Sequence, residues 1–450
     1  MIRPVRATTR FLAVALAAPL FAAGAVHAQD DPARPTLVET STLAETHAGA
    51  DLPPVARRVP LEPLVIDFEA TGREVGRHGG TLETIVGRAK DVRLINVWGY
   101  ARLVGYDENL DLVPDILADV DVEDGRVFTL HLREGHKWSD GAPFTAEDFR
   151  YWWEEIANSD DLSPSGPPPF MAVNGALPTF EVVDEHTVRY TWPEPNPQFL
   201  PALAQARPPF IYRPAHYLKR FNPKYGDPDA IARLVKEARV RSWAPLHNLR
   251  DEMYDATNPD IPSLQPWVPT AEGSDRRAIM VRNPYFHRVS SAGQQLPYID
   301  RVVMSVADPG LIAAKTQAGE TDLQARGLNF SDIPVLKKGE EDQGYATRLW
   351  PVAKANEITI YPNLTTKDPV WRALLRDVRF RRALSLAIDR DLVNRVLYFG
   401  LATPAGNGVL PASPLYEERF AKAWTDYDPE RRTPSSTRWA SRSVTRTGSA

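Results

Sequence analysis

The chain has 450 residues, 43 % hydrophobic and 25 % charged, with 41 prolines, no cysteine and a formal net charge of -5. This length predicts two or three domains rather than one core, and the absence of thiols excludes disulfides, Fe–S clusters, cysteine-ligated zinc and a lipid anchor on an N-terminal cysteine. Arg3, Arg6 and Arg10 at one end and five arginines in 431–450 leave the body between them more acidic than the total, the wrong sign for a nucleic-acid footprint.

Residues 1–28, MIRPVRATTRFLAVALAAPLFAAGAVHA, place a basic region before an apolar run and end in Val26-His27-Ala28. The pattern predicts a signal peptide cleaved near Ala28 and a periplasmic mature protein. A membrane anchor fits less well, because the run is short of about 20 residues and holds Pro19 and Gly24. Residues 29–78 are rich in Pro, Ala and Glu with weak periodicity, as in an extended arm lying on the body.

After the Gly79-Gly80 turn, strands are expected at 81–86 and 93–97, and a short amphipathic segment at 111–120. Residues 127–133 alternate, with Phe128, Leu130 and Leu132 on one side. Lys137-Trp138 reads as a short edge strand. Thr145 then reads as the N-cap of a helix with Asp148 in the reciprocal position, and Phe149, Trp152, Trp153 and Ile156 mark its core face.

Residues 160–175 read as loop, 182–192 as a hairpin, 199–206 as a short apolar segment, 229–238 as a helix and 245–270 as irregular chain. Strands are expected at 279–282, 299–306, 321–323 and 358–361, and helices at 311–318 and 378–387. Asp389 reads as the N-cap of a further helix carrying Leu392, Val393, Val396 and Leu397, with Gly400 in the left-handed cap position. The class is mixed α/β, without internal repeats.

Motifs for chemistry are thin. There is no Gly-x-Ser-x-Gly elbow, His-Glu-x-x-His, phosphate loop or dinucleotide fingerprint. His131 and His136 lie five apart on a strand and its turn, on poorly matched faces for one metal. Asp67/Glu69 and Asp389/Asp391 are ordinary acidic pairs, and Asp389 is better used as a cap. Trp98, Tyr100 and Tyr106 suit stacking on a ligand or filling a core. No catalytic residue, metal ligand or cofactor is expected.

Three stretches, LVPDILADVDVEDGRVFTLHLREGHKWSDGAPFTAEDFRYWW, LPYIDRVVMSVADPGLIAAKTQAGETDLQA and VRFRRALSLAIDRDLVNRVLYFGLATPAGNGVLP followed by DYDPE, together resemble the extracellular solute-binding proteins of family 5. These are the oligopeptide/dipeptide-binding components of bacterial ABC importers. The resemblance covers 79–430 and is faintest at 206–270. It implies an α/β, two-lobed periplasmic-binding-protein-like fold of the large three-domain type, incomplete at the C-terminus. Domain I takes 79–119 and 262–346, domain II 120–261, and a partial domain III 347–430.

The implied function is capture of a peptide or similar solute between lobes that close on it, followed by delivery to a membrane permease, with no chemical step. The partners implied are the solute and, transiently, the permease. A monomer that neither binds nucleic acid nor spans the membrane after cleavage is expected. The segments nearest the expected cleft carry Trp98, Tyr100, Gln265 and Trp267. Known solutes of the family include peptides, nickel complexes, opines and oligosaccharides, so the fold does not name this one. An exported hydrolase acting on a peptide or glycan is the alternative, and a receptor that touches a partner a third reading.

The tail 431–450, RRTPSSTRWASRSVTRTGSA, breaks the resemblance after Arg431. Family members continue there with a helix resembling RANALLDEMGL, and one restored base near codon 431 allows the tail to encode it. The expectation is a one-base deletion, in the gene or in its sequencing, that leaves domain III half built and solute binding impaired.

Overall fold

The structure, a computed structural model, describes residues 35–428 except 41, 44–51, 254–257, 275, 351–355 and 412. The expected signal peptide and the tail from 431 lie outside the described residues. In chain order the strands are β1 (Leu64–Ile66), β2 (Thr81–Val86), β3 (Val104–Tyr106), β4 (Leu112–Pro114), β5 (Leu117–Glu123), β6 (Val127–Leu132), β7 (Thr179–Asp184), β8 (Thr187–Thr191), β9 (Trp267–Pro269), β10 (Arg277–Arg282), β11 (Arg288–Ser290) and β12 (Arg301–Val306). They form sheets ordered β2-β12-β10-β9 and β5-β6-β8-β7, and the two-stranded pairs β1-β11 and β3-β4.

The β5-β6-β8-β7 sheet is antiparallel throughout and grows from the alternation in 127–132. Phe128, Leu130 and Leu132 are buried together with Val188 and Tyr190 of the neighbouring strand. Against that face packs the Ala146–Tyr151 helix, started by the expected capping box: Thr145 caps its first turn and Asp148 Oδ2 accepts from the Thr145 amide at 3.0 Å. The next turn, Trp152–Ala157, widens into a π-helix. Trp152 is buried there, while Trp153 is half-buried against the same core. Phe128 meets Trp192 and Phe199 edge to face, and those two meet tilted, with ring centroids 4.8–5.6 Å apart.

In the other sheet, β2 runs parallel to β12, Thr81 opposite Arg301. The chain between them leaves to build the β5-β6-β8-β7 sheet and returns through β9 and β10. The stretch expected as a strand at 321–323 is not one. Asp322 and Gln324 instead satisfy the free edge of β2 largely with side chains: Glu83 N donates to Asp322 Oδ2 at 2.7 Å, Ile85 N to Gln324 Oε1 at 3.0 Å, and Gln324 Nε2 back to Ile85 O at 2.8 Å.

Two more expectations fail for identifiable reasons. Residues 93–97 are helical, a 3-10 turn Ala89–Leu94 running into Ile95–Gly99. Their β-branched residues suggest a strand, but Val92 and Ile95, three apart, bury one helical face against the β2-β12-β10 core. Residues 243–250 form a helix, because Pro245 stands in its first turn, where a missing N–H leaves no intrahelical bond unmade. Residues 137–138 make only an isolated bridge, Lys137 to Pro143.

In the arm, Val38 bridges to Gln294, the short helix Val55–Arg58 follows, and β1 pairs with β11. At the other end, Pro369–Arg376, Val378–Leu386 and Arg390–Tyr398 are helices capped by Asp368, Asp377 and Asp389. The last closes on Phe399 and Gly400, both with positive φ. Only Leu386 is buried among these three helices. The strand expected at 358–361 is absent, and Tyr361 is 80 % exposed.

Candidate functional site

Between the two larger sheets the chain crosses several times, and the crossings meet around Asp115. This residue follows β4 and is 5 % exposed. Its Oδ1 accepts from His287 Nε2 at 2.8 Å and Arg288 Nε at 2.9 Å; its Oδ2 accepts from Arg288 at 2.5 Å and the Arg102 amide at 2.8 Å. Its carbonyl accepts from Arg133 Nε at 3.0 Å. Burial pushes the Asp115 carboxyl up, but the charges and hydrogen bonds of Arg288 and His287 outweigh it and hold the group well below the usual carboxylate range. Burial takes His287 the other way, down to about 4 despite Asp115 beside it. His136, 5.1 Å from His287 between ring centroids, is also held well below the ordinary imidazole range, by burial first and then by His287 and Arg133.

Arg102 is equally enclosed. Its guanidinium donates to the carbonyls of Asn96, Ala101, Gln205 and Ala206 at 2.6–2.9 Å. It also lies 4.7 Å from the Tyr100 ring centre. The loop after Phe199–Leu203 is thereby tied to the segment that leaves the Ile95–Gly99 helix.

Of the four residues expected near a cleft, Tyr100 and Gln265 sit at this junction, and Trp98 and Trp267 pack against the β2-β12-β10 core. Tyr100 donates its hydroxyl to Ala204 O at 2.7 Å, and its ring is covered by Arg102 and by Gly105, where a Cβ would come within 3.2 Å. Gln265 is 2 % exposed, its amide donating to Ala101 O at 3.0 Å. Trp267 is half-buried and donates to Ile299 O at 2.9 Å. Trp98 is half-buried against the β2-β12-β10 core. Tyr106, on β3, is 39 % exposed. Asp115, Arg102, His287 and Arg288 escape sequence reasoning, because no local pattern marks a charge as buried when its partners come from other segments.

Groups with chemistry elsewhere are dispersed. His131 pairs with Asp121 on the outer face of the β5–β6 ladder at 2.9 Å, while His136 is inside, so the two do not meet. Tyr151 and His247 share a buried hydrogen bond of 2.9 Å, and burial lowers His247 to about 4. Among the described residues no three metal-ligating side chains converge, and no helix is long and apolar enough to cross a membrane.

Comparison with known proteins is consistent in kind. The family model described as "Bacterial extracellular solute-binding proteins, family 5 Middle" matches residues 111–432. The periplasmic alpha-galactoside-binding protein of Rhizobium meliloti is 27 % identical over 84 % of this chain and 56 % of its own length. The periplasmic oligopeptide-binding protein OppA of Salmonella typhimurium is 26 % identical over 63 % of this chain and 46 % of its own. Among solved structures, an oligopeptide-binding protein OppA superposes with a TM-score of 0.73 at 33 % identity, over 90 % of this chain and 64 % of that one. MelB of Agrobacterium fabrum C58, in complex with stachyose, gives 0.63 at 23 % identity and supports the fold alone. The chain thus spans about half to two thirds of the length of these relatives.

Proposed function

The chain belongs to the bacterial extracellular solute-binding proteins of family 5, and from that premise we propose that it captures a peptide or similar solute between two lobes outside the cytoplasmic membrane and presents it to an ABC permease. The observation that carries this reading is the likeness to OppA over nine tenths of the chain. The chain's own topology supports it: β2 and β12 bracket an inserted sheet, as a lobe assembled from two separated stretches requires. In this reading 79–119 and 262–346 form one domain and 120–261 the inserted one, with the first boundary better drawn before β5 at Leu117. Residues 347–430 belong to the facing lobe.

Of the four proposed solute contacts, Trp98 and Trp267 offer ring surface, while Tyr100, whose hydroxyl is engaged, and Gln265, whose Nε2 is held by Ala101 O, shape the floor beneath. Binding acts by differential affinity for the closed form, and no bond is made or broken. A second reading, an oligosaccharide solute, draws on the alpha-galactoside-binding relative, whose sequence match covers 84 % of this chain against 63 % for OppA of Salmonella typhimurium.

The test is calorimetric titration and thermal shift with tri- to pentapeptides and with raffinose and stachyose. A peptide that raises the melting temperature, with Trp98→Ala or Trp267→Ala weakening it at least tenfold, supports the first reading. Saccharide binding alone moves the solute to the second. Cleaved peptide or glycan in the same mixtures would replace both with a hydrolase.

A further inference from the structure

We propose that Asp115 is a positioning residue which, through Arg288, holds the carbonyl of Tyr100 and so fixes the turn 98–106 in one conformation. Tyr100 has φ 42° and ψ 43°, the left-handed region that a residue bearing a Cβ adopts only at a steric cost. Such a conformation persists only where its surroundings over-determine it. Here its amide donates to Asn96 O at 3.1 Å, its carbonyl accepts from Arg288 at 2.6 Å, and its hydroxyl donates to Ala204 O at 2.7 Å while accepting from the Tyr106 amide at 3.2 Å.

The contact to the carbonyl depends on a side chain that is itself held. The same Arg288 nitrogen that reaches Tyr100 O also reaches Asp115 Oδ2 at 2.5 Å, and Nε reaches Oδ1 at 2.9 Å. The fork geometry of a guanidinium on a carboxylate leaves one hydrogen aimed at the carbonyl. Asp115 Oδ2 also accepts the Arg102 amide, two residues past Tyr100. One carboxylate therefore pins the turn from both sides. Its backbone belongs to the same crossing: Asp115 N donates to Leu103 O and Ile116 N to Arg102 O, at 3.1 and 2.8 Å. The device stands on the geometry alone and rests on the solute-binding reading only for what the turn then presents, Trp98 and Tyr106 at its ends.

Hydrogen exchange on the full chain tests it. In Asp115→Asn, protection of the Tyr100 and Tyr106 amides should fall at least tenfold, with β6–β8 ladder amides unchanged. Equal loss at both places, or none at the turn, would overturn the proposal. Should Asp115→Asn fail to fold, Arg288→Lys keeps the charge but lacks the second nitrogen that grips Oδ1, and its ammonium stops about one bond short of the nitrogen that reaches Tyr100 O. It should show the same local loss, and unchanged protection at Tyr100 would overturn the proposal equally. Titration of a tetrapeptide and of stachyose, run alongside, separates the two readings: local loss with no solute bound by the parent chain leaves Asp115 as a positioning residue and removes the solute reading.

Discussion

The Ala146–Tyr151 helix and the Arg390–Tyr398 helix begin with the same local chemistry. Thr145 caps one and Asp389 the other, each through a side-chain oxygen on a first-turn amide. Both carry apolar residues at helical spacing. In the first, Phe149 and Tyr151 are 0 % exposed within a core that also takes Trp138, Phe144 and Tyr212. In the second, no residue is buried; Val396 is 64 % and Leu397 51 % exposed. Capping and periodicity decide that a helix forms and which way it faces, whereas stability comes mainly from the surface that face covers.

Core truncations should break the comparison most visibly. Phe149→Ala or Trp192→Ala should destabilise the β5-β6-β8-β7 body by about 3–5 kcal/mol, the cost of emptying a close-packed aromatic site. Leu397→Ala should move the same transition by less than about 0.5 kcal/mol, as surface changes do. Urea unfolding followed by tryptophan fluorescence reads both. An equal cost at Leu397 would mean that the Arg390–Tyr398 helix is packed in solution and that the contrast is not real.

Acid should act on the same side of the comparison. Buried His287 and His247 are lowered to about 4 from 6.5, so the unfolded chain binds their protons first as pH falls. The stability each supplies is complete above 6.5 and lost between about 6.5 and 4, by roughly 3 kcal/mol per group. Asp115, depressed instead, keeps its contribution through that window and loses it only below the ordinary carboxylate pKa. No histidine follows His287 in the chain. Urea midpoints from pH 7 to 4 should therefore fall for the body, while exchange at 369–398, corrected for its intrinsic pH dependence, stays flat. Burial pushes the Asp148 carboxyl up to about 6, so that group gains stability over the same window and offsets part of the loss. In Asp148→Asn, which removes the offset, a flat midpoint for the body would show that the two imidazoles are not buried neutral.

How far these features could be read from sequence follows from the range of the interactions. The face of Phe128, Leu130 and Leu132 and the Thr145–Asp148 box involve residues within a few positions of one another, and both are legible. That Asp148 also accepts from Trp138 Nε1 at 3.1 Å and Ala215 N at 2.9 Å is not, because those donors come from other segments. The same holds for Asp115, whose partners stand at 102, 287 and 288. Tyr100 could be named as an aromatic near a crossing, yet the covering of its ring depends on Arg102 and its hydroxyl bond on Ala204. Pro245 misleads for the opposite reason: its local rule is sound but permits the first turn of a helix.

The caps give a smaller effect that sharpens the contrast. Thr145→Ala should cost about 1 kcal/mol of the body's global stability. Asp389→Ala removes a comparable bond, Leu392 N to Oδ1 at 2.8 Å, but should appear only as lost helicity in 390–398, without moving the main transition. Circular dichroism beside the urea midpoint distinguishes the outcomes, and a shifted midpoint for Asp389→Ala would couple the two regions.

The smallest effect on stability should come from the most exposed apolar side chains, and it should be visible elsewhere. Trp371 is 53 % exposed and Val370 58 %, on a helix with no buried residue. Like Val396 and Leu397 on the Arg390–Tyr398 helix, they are exposed apolar side chains of the kind that bind hydrophobic dyes and drive association. Replacing Trp371 and Val396 by serine should leave the urea midpoint of the body within about 0.5 kcal/mol, since neither side chain lies in its core. Dye binding and light scattering should drop in the same variant. The β5-β6-β8-β7 sheet has exposed apolar residues too, Val122, Val182 and Val183, but they stand on edge strands among Asp121, Glu123, Glu181 and Asp184. Charges of one sign beside an edge oppose pairing with another chain, so Val182→Ser should change neither dye binding nor scattering. If it changes them as much as the C-terminal pair does, sticking follows apolar area alone and the charges on the sheet edges count for nothing.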